Sequence, residues 1–429
     1  MPGQAMPQQA RSAPGALISR RAADRLRAGH VWVYASEIES LNVPEPGPDG
    51  PAALLPVADN RGLLMGTALY SPSSQIALRM VAREALDDAA WLRLLDERLR
   101  RAIDRRVIDR RLAMLSTLGG ESDACRLCFS EADQLPGVIV DKYGDLVILQ
   151  LLAKGLDSAP VREACVRVLR ESLQPAAILE RPDPRIRELE GLAAPGNEAL
   201  WLADPESPKS STQFHLNGLT FHYDANAGQK TGAFLDQRAN YAAAQQWAQE
   251  KSPGGRALDV CCYQGGFALH LARVSKSVTG IDASHASLEV AERNLEANRD
   301  QIGAQVDWIA ADAFEILRDW SSAGERFDTI VLDPPAFAKS KRAVEGALRG
   351  YKELNLRALK MLKPGGLLLT CCCSHHVGWA ELEGAVAAAA ADASRRVRLL
   401  ERRGAALDHP VVLNMPETEY LKCLVLEAE

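Results

Sequence analysis

Up to about residue 83 the chain alternates short apolar runs with turn-forming residues: HVWVYASEI, ALLPVADNRGLLMGTALYS and QIALRMVA. A period of two puts successive side chains on opposite faces of a strand, so this stretch predicts a small strand-rich domain. An arginine-rich helix is expected from about 87 to 115. It is followed by a hairpin turning at Tyr143-Gly144-Asp145, a helix around 159–173 and a strand at AAILER, a second α+β unit that ends in the proline-rich DPESPKS. From about residue 211 the pattern changes. Strand-like RALDVCC, SVTGID, VDWIAAD, FDTIVLD and GGLLLTCC appear in order, with helical FALHLARV, ASLEVAERNLEAN and AFEILRDW between the first four. Such alternation predicts an α/β fold with a parallel, doubly wound sheet. The expected division is a disordered tail over 1–13, a strand-rich domain over 14–84, a small α+β linking domain over 85–205 and the α/β domain over 206–429.

Composition narrows this picture. With 429 residues, 47% of them hydrophobic, the chain exceeds a single core. No apolar run reaches the roughly 18 residues of a membrane helix. The N-terminus is polar and rich in proline and glycine, without the apolar centre of a signal peptide, so a cytoplasmic protein is expected. Nine cysteines in this length are no disulfide framework. The net charge of −6 argues against sequence-blind adhesion to nucleic acid, although two segments are locally basic. Residues 93–111 carry eight arginines against four acids, and residues 11–27 five against one. Such segments are either solvated faces laced with ion pairs or surfaces facing RNA.

In a doubly wound sheet, ligands sit beyond the carboxyl ends of the strands. The first strand is followed by Cys261-Cys262-Tyr263-Gln264-Gly265-Gly266-Phe267, a glycine turn where backbone can approach a ligand at a helix start. The second ends in Asp282, an acid suited to both hydroxyls of a ribose. The third ends in Asp312, placed for an adenine amine or for capping the next helix. The fourth ends in Asp333-Pro334-Pro335. A dehydrogenase reading lacks the G-x-G-x-x-G pyrophosphate fingerprint.

TCCCSHH ends the fifth strand. Alternation prevents the three thiols from sharing one environment: Cys371 reads as packing, whereas Cys372 and Cys373 lie where the chain leaves the sheet. A thiolate there could add to C6 of a pyrimidine and make C5 nucleophilic toward a methyl donor. A zinc site is not expected. Cys125 and Cys128 form the other short-spaced pair, in a different domain, and read as packing residues. His375 and His376 read as structural or polar lining.

Together these stretches resemble the ribosomal RNA large-subunit methyltransferase I family, class I S-adenosylmethionine-dependent methyltransferases acting on cytosine C5. The resemblance spans roughly 16–428. It rests on RLRAGHVWVYASEI, LYSPSSQIALRM, RLCFSEADQLPGVIVDKYGD, ILERPDPRIRELEGL, GQKTGAFLDQRAN, DPPAFAKSK, TCCCSHHV and DHPVVLNMPETEYLKCLVLE. It implies an N-terminal PUA-like RNA-binding barrel, a linking domain and a Rossmann-like methyltransferase domain. It implies that Cys373 is the nucleophile and that Asp333 hydrogen-bonds the flipped cytosine. Phe234, Gln237, Tyr263, Gly265, Gly266, Asp282, Asp312 and Asp333 would contact S-adenosyl-L-methionine. The expected partner is large-subunit ribosomal RNA, with no DNA, membrane or metal; a homodimer is compatible with the family type. The sequence departs from the family pattern in VCCYQGGF and in having Cys372 where serine is common. Two other readings stay open: a base-amine methyltransferase using the Asp-Pro-Pro loop, and a non-catalytic RNA-binding or ribosome-assembly protein. The arginine-rich helix would grip RNA backbone, and Trp32 and Tyr34 would be either barrel core or base-stacking rings.

Overall fold

In a computed structural model of the chain, residues 14–43, 54–107, 122–181, 183–193, 196, 198–226, 232–338 and 340–429 are described. The expected tail and residues 108–115 of the expected arginine-rich helix lie outside them.

Six strands form the first sheet: β1 (Gly15–Ile18), β2 (Trp32–Tyr34), β3 (Ile38–Asn42), β4 (Leu54–Asp59), β5 (Leu64–Tyr70) and β6 (Ile76–Ala82), in the order β2-β6-β5-β4-β1-β3. Ile18, Val33, Leu55, Val57 and Leu78 fill its core. A helix at Arg20–Arg27, unanticipated because charge dominates its sequence, is capped by Ser19 and buries Ala22, Ala23 and Leu26. Core packing is not the role of Trp32 and Tyr34. Val33 points inward, so both neighbours face the other side and are half-buried.

The second sheet contains β7 (Cys125–Phe129), β8 (Val138–Tyr143), β9 (Leu146–Leu151), β10 (Ala177–Glu180) and β11 (Ala199–Leu202), in the order β11-β10-β9-β8-β7. The helices Asp88–Val107 and Ala159–Leu173 pack on it through Leu95, Leu99, Val161 and Val168. Leu69 and Val81 of the first sheet belong to the same core, so the two units share an apolar seam. Several arginines of Asp88–Val107 serve the fold. Arg98 donates to the carbonyls of Val81 and Gln134, Arg100 pairs with Asp96 and Glu171, Arg101 pairs with Glu97, and Arg106 is buried in a two-pronged bond with Asp133. Ion pairs thus lace much of the described part of this segment.

A hairpin of β12 (Ser211–Leu216) and β13 (Leu219–Asp224) leads into the last domain. Its turn residues Asn217 and Gly218 have φ of 53° and 80°, the left-handed pair of a two-residue hairpin turn. The third large sheet has seven strands: β14 (Arg256–Val260), β15 (Ser277–Asp282), β16 (Gln305–Ala310), β17 (Phe327–Leu332), β18 (Leu362–Cys372), β19 (Val397–Arg403) and β20 (Lys422–Ala428). Their order is β16-β15-β14-β17-β18-β20-β19, parallel except that β20 runs antiparallel to both neighbours. The order reverses at β14, which therefore marks the ligand crevice.

Candidate active site

A cavity of about 810 Å³ opens at the carboxyl ends of these strands. Phe234, Gln237, Tyr263, Gly266, Asp282, Asp312, Asp333 and Cys373 all line it. Gly265 does not. Its φ of 85° caps the helix Gly266–Ala272 in a left-handed conformation, and a Cβ there would lie 2.9 Å from the Trp308 ring. A Cβ on Gly266 would lie 2.4 Å from the Tyr241 ring. The glycine pair is thus required by packing as much as by any ligand.

The turn after β14 is held by the acids around it. Cys261 and Tyr263 have φ of 64° and 49°, costly values for residues with side chains and concentrated at functional sites. Tyr263 N donates to Asp282 Oδ2 at 2.9 Å, while Asp282 Oδ1 accepts from Ser284 N at 2.9 Å. Asp312 caps the helix Ala313–Ala323 by accepting from Phe314 N and Glu315 N, both through Oδ1. Asp259 is fully buried. Burial first, then the charge of Asp333, pushes its pKa well up, and its Oδ2 accepts from Ala268 N.

The three thiols of β18 and its end separate as alternation requires. Cys371 packs in the core on one face beside Cys423, and Cys372 in the core on the other. The Cys423 thiol and burial hold Cys371 far above the ordinary thiol range. Cys373, half-exposed, lines the cavity with its Sγ 3.8 Å from Pro334 O. Two other thiols, Cys261 and Cys262, line the same cavity, and burial drives both pKa values strongly upward. His375 also lines the cavity, its ring 5.6 Å from that of Tyr420; His376 is exposed.

Except for Trp32, already a candidate base-stacking ring, sequence reasoning missed the opposite wall, which comes from outside the strand ends. Trp32 of the first sheet, Arg126, Phe129 and Glu131 of the second, and Asp236 and Tyr420 near the final strands all line the cavity. No local pattern marks them as a group, because four separate parts of the chain supply them. Tyr420 donates to Asp236, and Arg126 makes two 2.8 Å bonds with Asp141.

Among the described residues, Arg126 is the one lysine or arginine on the wall, whereas Glu131, Asp183, Asp236, Asp282, Asp312, Asp333 and Glu417 all contribute carboxyls. Such a wall favours a cation. The rings of Phe234 and Tyr263, with centroids 5.0 Å apart, add π-faces that attract one. This donor set fits a sulfonium cofactor. Among the described residues no cluster of three or more His, Cys, Asp or Glu is arranged to hold a metal ion, and no helix is long and apolar enough to cross a membrane.

Comparison with known proteins agrees with this geometry. Residues 128–414 match the S-adenosylmethionine-dependent methyltransferase family, and residues 17–83 match a PUA-like domain. A relative named ribosomal RNA large subunit methyltransferase I from Pseudoalteromonas translucida is 36% identical over 93% of this chain and 96% of its own. A protein of the same name from Aeromonas salmonicida is 36% identical over 96% of this chain and 98% of its own. Among solved structures, a SAM-dependent methyltransferase from Streptococcus mutans superposes with a TM-score of 0.78 at 17% identity. The match covers 97% of this chain and all of that one, and shows the shared fold. A methyltransferase solved with S-adenosylhomocysteine gives the same TM-score at 18% identity, over the same share of each chain. A Rossmann-like sheet with an acid-lined crevice and a PUA-like domain ahead of it, matched nearly end to end by these relatives, places the chain in the ribosomal RNA large subunit methyltransferase I family, a family of S-adenosylmethionine-dependent methyltransferases.

Proposed function

We propose that the chain methylates C5 of a cytosine in large-subunit ribosomal RNA, in the cytoplasm, through a transient bond between the base and Cys373. The observation that carries this reading is the position of Cys373. Of the three adjacent thiols it alone opens into the crevice, beside the Asp-Pro-Pro turn. RNA as substrate is supported by the names of the relatives and by the PUA-like domain.

C5 of cytosine is too weak a nucleophile to take a methyl group unaided. The Cys373 thiolate adds to C6, which makes C5 carbanion-like. Asp333, held by Gln237 Nε2 at 3.0 Å, hydrogen-bonds the polar edge of the flipped base and stabilises the adduct. S-adenosylmethionine, when bound, supplies an electrophilic methyl group that C5 takes. Loss of the C5 proton then expels Cys373 as a thiolate. Phe234 and Gln237 would hold the methionine end of the cofactor, Tyr263 and Gly266 its middle, Asp282 the ribose hydroxyls and Asp312 the adenine amine through Oδ2. Reaching C5 and C6 requires the cytosine to leave its stack. The domain division at 84/85 and 205/206 belongs to this reading, with the first unit on RNA and the last on the base.

The test is methyl transfer to large-subunit RNA from cells lacking this protein, with nucleosides identified by mass. Expected are 5-methylcytosine from wild type and Cys372→Ser, and none from Cys373→Ser. Loss in Cys372→Ser alone would move the nucleophile by one residue. A methylated base amine made equally well by both variants would replace this mechanism with amine transfer at the Asp-Pro-Pro turn.

A further inference from the structure

The strand-end acids and Cys373 account for one end of the cavity. The other end is built by the first two domains: Trp32 of β2, Phe129 and Glu131 at the end of β7, Gln150 of β9, and Asp183 and Ile186 after β10. None of these residues belongs to the methyltransferase sheet.

Trp32 is held through its backbone and through the edge of its indole. Its N–H donates to His30 Nδ1 at 3.0 Å and its carbonyl accepts from Arg25 at 2.9 Å. Its indole Nε1 donates to Glu131 Oε1 at 2.8 Å, and its ring meets His30 edge-on with centroids 5.6 Å apart. The segment carrying Glu131 is equally constrained. Ser130 and Gln134 sit at φ of 47° and 61°, and the buried Asp133 takes two bonds from Arg106 and one from Phe129 N. A rigid, half-buried indole offers a stacking face at little entropic cost. The carboxyl of Glu131, beside the indole, accepts from amines, and Asp183 adds a second carboxyl to the wall. Arg126, the one basic side chain on the described wall, lies over the Phe129 ring and is engaged by Asp141 through two bonds. Each carboxylate has lone pairs to spare beyond the bonds it makes in the protein.

We propose that this end is a second nucleobase pocket, taking the base next to the methylated cytosine. That base stacks on Trp32 and presents an exocyclic amine to the Glu131 carboxyl, so guanine, adenine or cytosine fits and uracil does not. The inference rests on the RNA reading above.

The test is methyl transfer to a short RNA carrying the target cytosine, with each flanking nucleotide made abasic in turn. Wild type, Trp32→Ala and Trp32→Phe run in parallel. One abasic position is expected to lower wild-type kcat/KM by roughly ten- to a hundredfold, the worth of a base stacked on a ring. Trp32→Ala should be as slow on intact RNA and insensitive to that abasic position, and Trp32→Phe should retain most of the effect. Binding of S-adenosylhomocysteine should be equal in all three. Equal abasic penalties in wild type and Trp32→Ala, or no penalty in either, would overturn the pocket while leaving the methylation reading intact. No transfer to intact RNA by wild type would overturn both.

Discussion

The side-chain amide of Gln237 donates to Asp333 Oδ2 at 3.0 Å, while its Oε1 accepts from Asn240 at 2.6 Å. This chain of bonds fixes which way the Gln237 amide points, and with it the donor that Asp333 receives. Gln237→Glu keeps the shape but sets one carboxyl against another. It is expected to lower kcat by roughly ten- to a hundredfold, the loss of one or two transition-state hydrogen bonds, with a small change in thermal midpoint. Steady-state kinetics beside a melting curve would check this.

Gly266→Ala drives a methyl group into the Tyr241 ring, only 2.4 Å from the ideal Cβ position. Overpacking of this kind costs about 1–3 kcal/mol. Both the folding midpoint and affinity for S-adenosylhomocysteine should fall, and Tyr241→Leu in the same chain should restore much of each. Calorimetric titration of single and double variants would show the rescue.

His270 gives the fold a pH dependence of known sign. Burial lowers its pKa from 6.5 to about 4. Its Nδ1 lies 2.7 Å from Gly266 O and its Nε2 3.0 Å from Asn217 Nδ2, an arrangement made by a neutral ring protonated on Nδ1. The unfolded chain binds this proton near pH 6.5, whereas the folded chain resists it to about pH 4. The contribution is therefore complete above pH 6.5 and lost as pH falls toward 4, amounting to about 3 kcal/mol. Urea midpoints at pH 7.5 and 4.5 should differ more in wild type than in His270→Phe, which removes the group.

The buried Arg106–Asp133 pair, at 2.7 and 2.8 Å, ties the helix Asp88–Val107 to the loop carrying Glu131. Asp133→Asn leaves a buried guanidinium without its countercharge, which costs about 3–5 kcal/mol. Arg106→Met with Asp133→Leu should recover a large part of that, as read from urea denaturation of the singles and the double.

The strand-end chemistry was legible because it is local. A strand and the turn after it are neighbours in sequence, so Asp282, Asp312, Asp333 and Cys373 could be aligned with the crevice before any coordinates. Alternation along β18 likewise foretells that Cys371 and Cys372 face opposite cores. The Trp32–Glu131 pair was not legible, since 99 positions separate the two and only tertiary packing unites them. The arginines of Asp88–Val107 show a different limit. Composition cannot tell a guanidinium aimed at solvent from one already bonded to Asp133 or Val81. The helix Arg20–Arg27 is hidden by its charge, whereas Asn217-Gly218 is a hairpin signal that the sequence itself carries.

The reversed strand β20 follows β19 in the chain yet lies between β18 and β19. β19 pairs with β20 alone, so it cannot join the sheet first; β18 must wait with one edge open until residues 422–428 arrive. That edge runs along Leu367, Leu368 and Leu369, all fully buried in the finished fold. An unpaired apolar edge is a template for other chains. Shortening the chain ahead of Lys422 would therefore leave a self-associating protein rather than merely a weaker one, and the same event that sheathes this edge fixes the strand from which Cys373 emerges.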